Sequence, residues 1–306
     1  MEDQKTEFDR WLKEHFPAAR IRFHEPMRCH TTFRAGGPAR FMVMPENEEE
    51  IALLTARCRR IGLSWFVIGN GSNLLVSDRG YDGLIIKLGR QYAGMSTEGC
   101  EIRAQAGVML SRLSRQAALR DLSGLAFASG IPGTLGGGLM MNAGAYGGEL
   151  SQAVKSVRVL DGEGQIRTLT KEQMKFGYRT SVLKESGLIA LEAVLSLTPD
   201  DGKRLLLEME ELNRKRREKQ PLEYGSAGST FKRPAGYFAG QLIEQAGLKG
   251  LSVGDAQVSE KHCGFVINRG NASAAEIYTL CRMVQERVYK QFQVELTMEV
   301  RLLGEF

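Results

Sequence analysis

Residues 130–148, GIPGTLGGGLMMNAGAYGG, hold eight glycines in nineteen positions. Glycine loses more backbone freedom on folding than any other residue, so a run this dense needs a reason beyond carrying the chain. Its neighbours are small or apolar rather than serine-rich, which argues against a flexible linker. Two readings stay open. Backbone N–H groups freed by tight turns can form a concavity for an anion, here a phosphate-bearing cofactor. Equally, the segment can pack closely against another part of the protein.

Two further glycine sites precede this run. Gly69-Asn-Gly-Ser-Asn73 follows the apolar run Trp65–Ile68 directly, the place where a phosphate-holding turn leaves a strand. Residues 34–38 read Arg-Ala-Gly-Gly-Pro. The middle site is not a G-x-G-x-x-G fingerprint, because position 74 is leucine, and no G-x-x-x-x-G-K-[ST] occurs. A Rossmann domain and a P-loop NTPase are thereby disfavoured. Three such sites in one half of a chain point to one extended ligand with a diphosphate.

Hydrophobic spacing places regular elements around these sites. Trp11, Leu12 and Phe16 predict an N-terminal helix. Phe41–Met44, Trp65–Ile68 and Leu84–Leu88 read as strands, with a helix from Glu48 to Arg60 carrying Ile51, Leu54 and Cys58 on one face. Ile102–Ala106 is a strand, and Leu110–Arg120 a helix with Leu113, Ala117 and Leu119 inward. Val154–Leu160 and Gln165–Leu169 form a hairpin about Asp161–Gly164. Gly187–Thr198 is a strand and Lys203–Lys219 an amphipathic helix with Leu205, Met209 and Leu212 on one face. Helices follow over Phe238–Ala246 and Ala275–Tyr289, with a strand at Gly264–Asn268 between them and a last strand over Val294–Leu303. The pattern is α+β.

The chain has 306 residues, a formal net charge of +5 and a pI near 8.9. That bias suits an acidic small molecule and is too dispersed for nucleic acid. Residues 1–7 are charged and lack the apolar core of a secretory signal, and no apolar run is long enough to span a membrane. The five cysteines, Cys29, Cys58, Cys100, Cys263 and Cys281, form no C-x-x-C pair and read as free cytosolic thiols. Cys29-His30 and His262-Cys263 lack metal-ligand spacing, so no metal is expected. Ser181-Val-Leu-Lys184 matches S-x-x-K without the S-D-N and K-T-G that would make it an acyl-serine site. Arg214–Arg217 is the densest basic cluster, either a solvated helix end whose cations suit the dipole or a phosphate contact.

Three further segments carry chemistry. In Gly225-Ser-Ala-Gly-Ser-Thr-Phe-Lys-Arg-Pro234, small residues flank Ser229 and leave its hydroxyl approachable. Phe176–Thr180 and Leu296–Arg301 each place charge within an apolar context. Such charge is costly unless paired, so it marks either a structural ion pair or a cleft.

In order, Thr31–Pro38, Gly69–Leu74, Gly130–Gly137, Asn142–Gly147, Tyr178-Arg179, Ala227–Lys232 and Glu299–Arg301 resemble the UDP-N-acetylenolpyruvoylglucosamine reductase (MurB) family, from about Thr31 to the C-terminus. The resemblance implies a two-lobed FAD-binding domain of the vanillyl-alcohol oxidase/PCMH type and a smaller α/β substrate-binding domain. Lobe 1 would occupy 1–90, lobe 2 91–200 and the substrate domain 201–295, with strand 296–306 returning to the FAD domain. The run from Tyr178 to Lys184 continues almost directly into the strand near Leu188, which resembles the shorter, type II members.

The resemblance further implies noncovalent FAD, NADPH as co-substrate and a nucleotide-sugar substrate, with no nucleic acid or membrane partner, in the cytoplasm. FAD would be held by Arg34, Gly36 and Gly37, by Gly69, Asn70, Gly71, Ser72 and Asn73, and by the long glycine run. In that run the residues are Gly130, Gly133, Thr134, Gly136, Gly137, Asn142, Gly144 and Ala145. The family's reaction delivers hydride to C3 and a proton to C2 of an enolpyruvyl ether. Ser229 matches its proton donor. Arg179 and Glu299 match the pair that polarises the substrate carboxylate; to donate a hydrogen bond Glu299 would have to be protonated or water-bridged, and an apolar strand setting would raise its pKa toward the first. Tyr178, Lys219, Tyr237, Lys232 and Arg301 match substrate contacts, with Lys219, Arg214 and Tyr237 directed to the diphosphate. Another flavin oxidoreductase of the same fold, or a non-catalytic nucleotide-sugar binder, are the competing readings. Ser229 argues against the first, since an alcohol oxidase needs no C2 proton donor, and bound flavin would argue against the second.

Overall fold

The computed structural model of the chain describes residues 2–306, so Met1 at the start of the charged N-terminal stretch lies outside the described residues. The chain forms two compact units. The first comprises the chain up to Phe23, Phe41–Asn70 and Gly83–Lys215; the second comprises His24–Arg40, Gly71–Asp82 and Arg216–Phe306.

In the first unit, helix α1 (Glu2–His15) buries Phe8 and Leu12 and stacks Trp11 on Phe8, ring centroids 5.5 Å apart. Helix α2 (Glu48–Ile61) begins where the Asn47 side chain accepts the Glu50 N–H, carries three glutamates in its first turn, and ends at Gly62 in the left-handed region (φ 64°). Its buried face is Ile51, Leu54, Thr55 and Cys58, the face its spacing predicts. Trp65–Ile68 pairs in parallel with Leu84–Lys87.

A second sheet in this unit is antiparallel throughout, ordered Ile166–Thr170, Val154–Leu160, Ile189–Ser196, Glu101–Gln105, Met95–Glu98. The hairpin turn is set by Asp161, whose carboxylate accepts the N–H groups of Glu163 and Gln165, each at 2.9 Å. Helices α3 (Leu110–Ala118) and α4 (Leu135–Met141) share one apolar core with this sheet, through Leu110, Leu113, Leu135 and Leu139. The expected inward face of α3 needs one correction. Leu113 and Ala117 are buried, but Leu119 is 49% exposed, because the helix ends at Ala118 and Leu119 caps it. Helix α5 (Gly202–Lys219) buries Leu205 and Met209, while Leu212 is only partly covered.

The second unit has a four-stranded antiparallel sheet, ordered Gly225–Ser226, Val266–Asn268, Ala256–Val258, Ser252–Val253. Helices α6 (Ala239–Gln245) and α7 (Ala274–Phe292) contribute Leu242, Ile243, Ile277, Leu280 and Val284 to the core with Phe33 and Phe231. The start of α7 is closed by a Ser273/Glu276 capping box and by Asp78, whose two oxygens accept the N–H groups of Ala274 and Ala275 at 2.8 Å each. The expected last strand over 294–303 is shorter. Only Arg301–Leu303 forms a strand, parallel to Leu74–Val76, and before it the chain joins a ladder only through a Met298–Phe231 bridge. No helix among the described residues is long and apolar enough to cross a membrane.

Candidate active site

Within the first unit, the turn at Gly69 and the long glycine run meet. The Asn70 carboxamide donates to the Pro132 carbonyl at 2.7 Å, and a β-carbon on Gly69 would overlap the Thr134 hydroxyl. Gly133 lends its carbonyl to the Leu110 N–H at 2.9 Å. Thr134 does not start a loop, as the glycine density suggested, but precedes the short helix α4, so Gly136, Gly137 and Gly138 are helical. The N–H groups of Leu135 and Gly136 donate to Val108 and Ala106, which holds the helix start to the protein. Gly137 differs from its neighbours, since a β-carbon there would meet nothing closer than Thr134 Oγ1 at 3.8 Å.

Helix α4 ends on Asn142, left-handed at φ 42° and 1% exposed. Its side chain donates to the Gly177 carbonyl at 3.2 Å and accepts from the Ser151 N–H at 2.9 Å. It thereby ties the glycine run to the Tyr178-Arg179 corner. That corner is a tight turn, with Gly177 and Thr180 exchanging two backbone hydrogen bonds at 3.1 and 3.3 Å. Arg179 sits at φ 55°, and Tyr146 in the glycine run at φ 52°, a backbone state disfavoured for side-chain-bearing residues. The Arg179 guanidinium donates to the Gly144 carbonyl at 3.1 Å and lies over the Tyr178 ring at 5.1 Å. Gly144 and Ala145 pair with Gly148 and Glu149 in a two-residue ladder. Glu149 is held below its ordinary pKa by hydrogen bonds from Ser151 and Asn142 and by the charge of Arg179. Ser129, just before Gly130, buries its hydroxyl without a hydrogen-bond partner among the described residues.

Within the second unit, Arg34 is exposed and left-handed at φ 56°, and Gly36 takes φ 120°. The Gly37 N–H donates to the Ser77 carbonyl at 2.9 Å. Gly71 is pressed against the His30 carbonyl and accepts the Thr32 N–H at 3.3 Å, which joins the first glycine site to the second. Thr32 has a buried hydroxyl with no partner among the described residues. Ser229 is exposed, between Gly228 at φ 77° and Thr230, which is fully buried. Thr230 is fixed on two sides: its N–H donates to the Gly264 carbonyl, and its Oγ1 accepts the Val266 N–H, both at 2.9 Å. Its carbonyl accepts the Glu299 N–H at 2.9 Å, so Glu299 stands across from the residue next to Ser229. Lys232 donates its N–H to Thr297 at 2.8 Å in the same pairing. Arg301 follows Glu299 by two residues, and burial pushes its guanidinium pKa down. Tyr237 is 49% exposed and Lys219 is exposed at the end of α5. Arg214, further back on α5, pairs with Glu211 at 2.8 Å.

Each unit thus gathers part of the expected set: Gly69, Asn70, Gly130–Gly137, Asn142–Ala145 and Tyr178-Arg179 in one, and Arg34–Gly37, Gly71–Asn73, Ser229, Lys232, Glu299 and Arg301 in the other. Sequence reasoning missed Ser129, Asp78, Glu149 and the tie made by Asn142. Ser129 carried a usable signal, a hydroxyl bordering a glycine run. Asp78 carried none, because its partners lie almost two hundred residues away in the sequence.

The residues fit FAD on three observations. No backbone N–H from Gly69 to Asn73 donates to a protein acceptor among the described residues, so this turn keeps a row of donors for a phosphate. Buried hydroxyls at Thr32 and Ser129 await partners, at a cost of about 1–3 kcal/mol each if left alone. Gly137 presents an open backbone face. Burial pushes the Cys58 and Cys281 thiols up to about 12, which keeps these two unreactive.

Comparison with known proteins agrees with this chemistry. Residues 39–170 match the family model described as FAD binding domain, and residues 220–303 the model described as UDP-N-acetylenolpyruvoylglucosamine reductase, C-terminal domain. The chain is 49% identical over 294 residues to UDP-N-acetylenolpyruvoylglucosamine reductase of Clostridium tetani, covering 96% of this chain and 95% of that protein. Against the protein of the same name from Clostridioides difficile, identity is 48% over 285 residues, covering 93% and 94%. A crystal structure of UDP-N-acetylenolpyruvylglucosamine reductase from Thermus caldophilus matches with a TM-score of 0.79 at 36% identity, covering 93% of this chain and 98% of that one. These matches bear out the α+β architecture with an FAD-binding domain and a further C-terminal domain.

Proposed function

The chain belongs to the UDP-N-acetylenolpyruvoylglucosamine reductase family, and on that premise we propose that it reduces the enolpyruvyl ether of UDP-N-acetylglucosamine to UDP-N-acetylmuramate. NADPH is the reductant, FAD the noncovalent cofactor, and the reaction a cytoplasmic step of peptidoglycan precursor synthesis. The observation that carries the reading is local: Ser229 is exposed and directly precedes Thr230, whose carbonyl holds Glu299.

When bound, FAD supplies hydride transfer between NADPH and the enolpyruvyl group. It would be held by the N–H row of Gly69–Asn73, by Arg34–Gly37 and by the run from Gly130 to Ala145. The chain's own residues supply the rest. Hydride arriving at C3 leaves negative charge on C2 and the carboxylate. Arg179, its side chain preset by Gly144 and Tyr178, stabilises that charge. Glu299 shares this duty, either protonated or through a bridging water. The Ser229 hydroxyl protonates C2. A serine is a very weak acid, so it can protonate only a strongly basic centre, which an enolate carbon is. Being exposed, Ser229 can regain its proton from water. Tyr178, Lys232, Arg301, Tyr237 and Lys219 bind the substrate.

The test is direct. Protein purified gently should be yellow, bleach on adding NADPH without air, and regain its colour on adding the enolpyruvyl ether. A flavin-free protein, or a bleached one that the ether leaves unchanged, would refute the reading.

A further inference from the structure

We propose that Asn73 is a positioning residue for Glu299, holding the segment 299–301 to the turn that faces the cofactor; this rests on the reading of Ser229 and Glu299 above. The Asn73 carboxamide nitrogen donates to the Glu299 carbonyl at 3.0 Å. The Asn73 carbonyl accepts the Arg301 N–H, also at 3.0 Å. The two bonds straddle Val300, which is 5% exposed and anchors the segment in the core. From the other side, the Glu299 N–H donates to the carbonyl of Thr230 at 2.9 Å. Both backbone polar groups of Glu299 are therefore occupied, one by the residue after Ser229 and one by the last residue of the Gly69–Asn73 turn.

This grip fixes the 299–301 end of a segment whose other ties lie earlier, at Leu296, Thr297 and Met298. Among the described residues, 294–300 joins a ladder only through the Met298–Phe231 bridge. Thr230 cannot shift to compensate, since Gly264 and Val266 hold it. An asparagine suits the position chemically. Its amide donates to a carbonyl at neutral pH, whereas an aspartate of the same shape would present a repelling oxygen. The carboxamide is thus engaged with protein, leaving the backbone N–H groups of the turn for phosphate.

Asn73→Asp and Asn73→Ala, each purified with flavin, test this by two readouts. Amide hydrogen exchange should accelerate at 299–301 in both variants and stay unchanged in α6, which reports that the second unit is folded. Stopped-flow absorbance separates flavin bleaching by NADPH from colour return with the enolpyruvyl ether. The second step should slow by about 10–100-fold more than the first, as for a reacting group displaced by an ångström or less. Unchanged exchange at 299–301, an unchanged second step, or equal slowing of both steps with loss of flavin overturns the proposal. The last of these would mean direct cofactor contact. If the unmodified protein ignores the ether, the reduction reading fails, and exchange at 299–301 still decides whether Asn73 holds Glu299.

Discussion

Gly69 lies so close to Thr134 that a β-carbon on the glycine would overlap the threonine hydroxyl. The two readings of the glycine-rich segments therefore do not exclude each other. Gly69 and Gly71 are needed because protein atoms press on them, while the N–H groups of the same turn stay unpaired among the described residues. Close packing of the turn is what holds those donors in a fixed array, and a fixed array is what binds an anion.

Gly69→Ala and Gly137→Ala separate packing from ligand contact. The first forces Thr134 and the start of α4 aside, and should lower unfolding stability by about 1–3 kcal/mol and release flavin. The second places a methyl 3.8 Å from its nearest protein neighbour, within a helix. There alanine should be neutral or stabilise by up to about 1 kcal/mol. Urea midpoints and bound-flavin absorbance check both. A Gly137→Ala protein of full stability that loses flavin marks Gly137 as a cofactor contact; one that keeps flavin removes it from the site.

Ser229→Ala should leave bleaching by NADPH unchanged and slow colour return with the enolpyruvyl ether by about 10²–10⁴-fold, the usual contribution of a positioned proton donor. Rapid-mixing spectroscopy of the two half-reactions measures this. Full turnover in the variant would remove Ser229 from the chemistry and reopen the choice among flavin oxidoreductases.

The α2 face, the 154–170 hairpin and the strand before Gly69 were legible in the sequence because each is set by neighbours within a few residues. The motifs around Ser229, Arg179 and Glu299 lie far apart in the chain and stood out through their ordered resemblance to a family, not through local pattern. What was not legible is long-range. Gly136–Gly138 are helical because Ala106, Val108 and Asn142 fix both ends of α4, which overrides glycine's poor propensity. The apolar run 294–303 predicts a strand, yet only Arg301–Leu303 finds a continuous partner, in Leu74–Val76. Asn73 reads as one more polar residue of a turn until its partner, Glu299, is seen.

Asp78 is placed to stabilise α7 from outside the helix, since both carboxylate oxygens accept first-turn N–H groups at 2.8 Å. Asp78→Ala should cost about 1–2 kcal/mol in denaturant unfolding, the range of a lost cap. Asp78→Asn, which keeps one acceptor, should lose less. Equal stability of Asp78→Ala and the unmodified protein would show that the Ser273/Glu276 box suffices.

Stability should also depend on pH through His262. Burial holds its imidazole below the ordinary value of 6.5, against a weaker opposing influence of Glu244. The neutral ring accepts the Gly264 N–H on Nδ1 at 3.1 Å and packs edge-on to Phe265. The unfolded chain takes up the proton near the ordinary pKa, and the folded one only at lower pH. Stability is therefore complete above about pH 6.5 and falls as the pH drops from there through the depressed folded value. Protonation removes the acceptor for the Gly264 N–H, and the Gly264 carbonyl holds Thr230 beside Ser229, so acid should loosen the segment around Ser229. His262→Gln, which cannot titrate, should flatten this part of the urea midpoint measured against pH. Parallel profiles for the two proteins would place the acid sensitivity elsewhere.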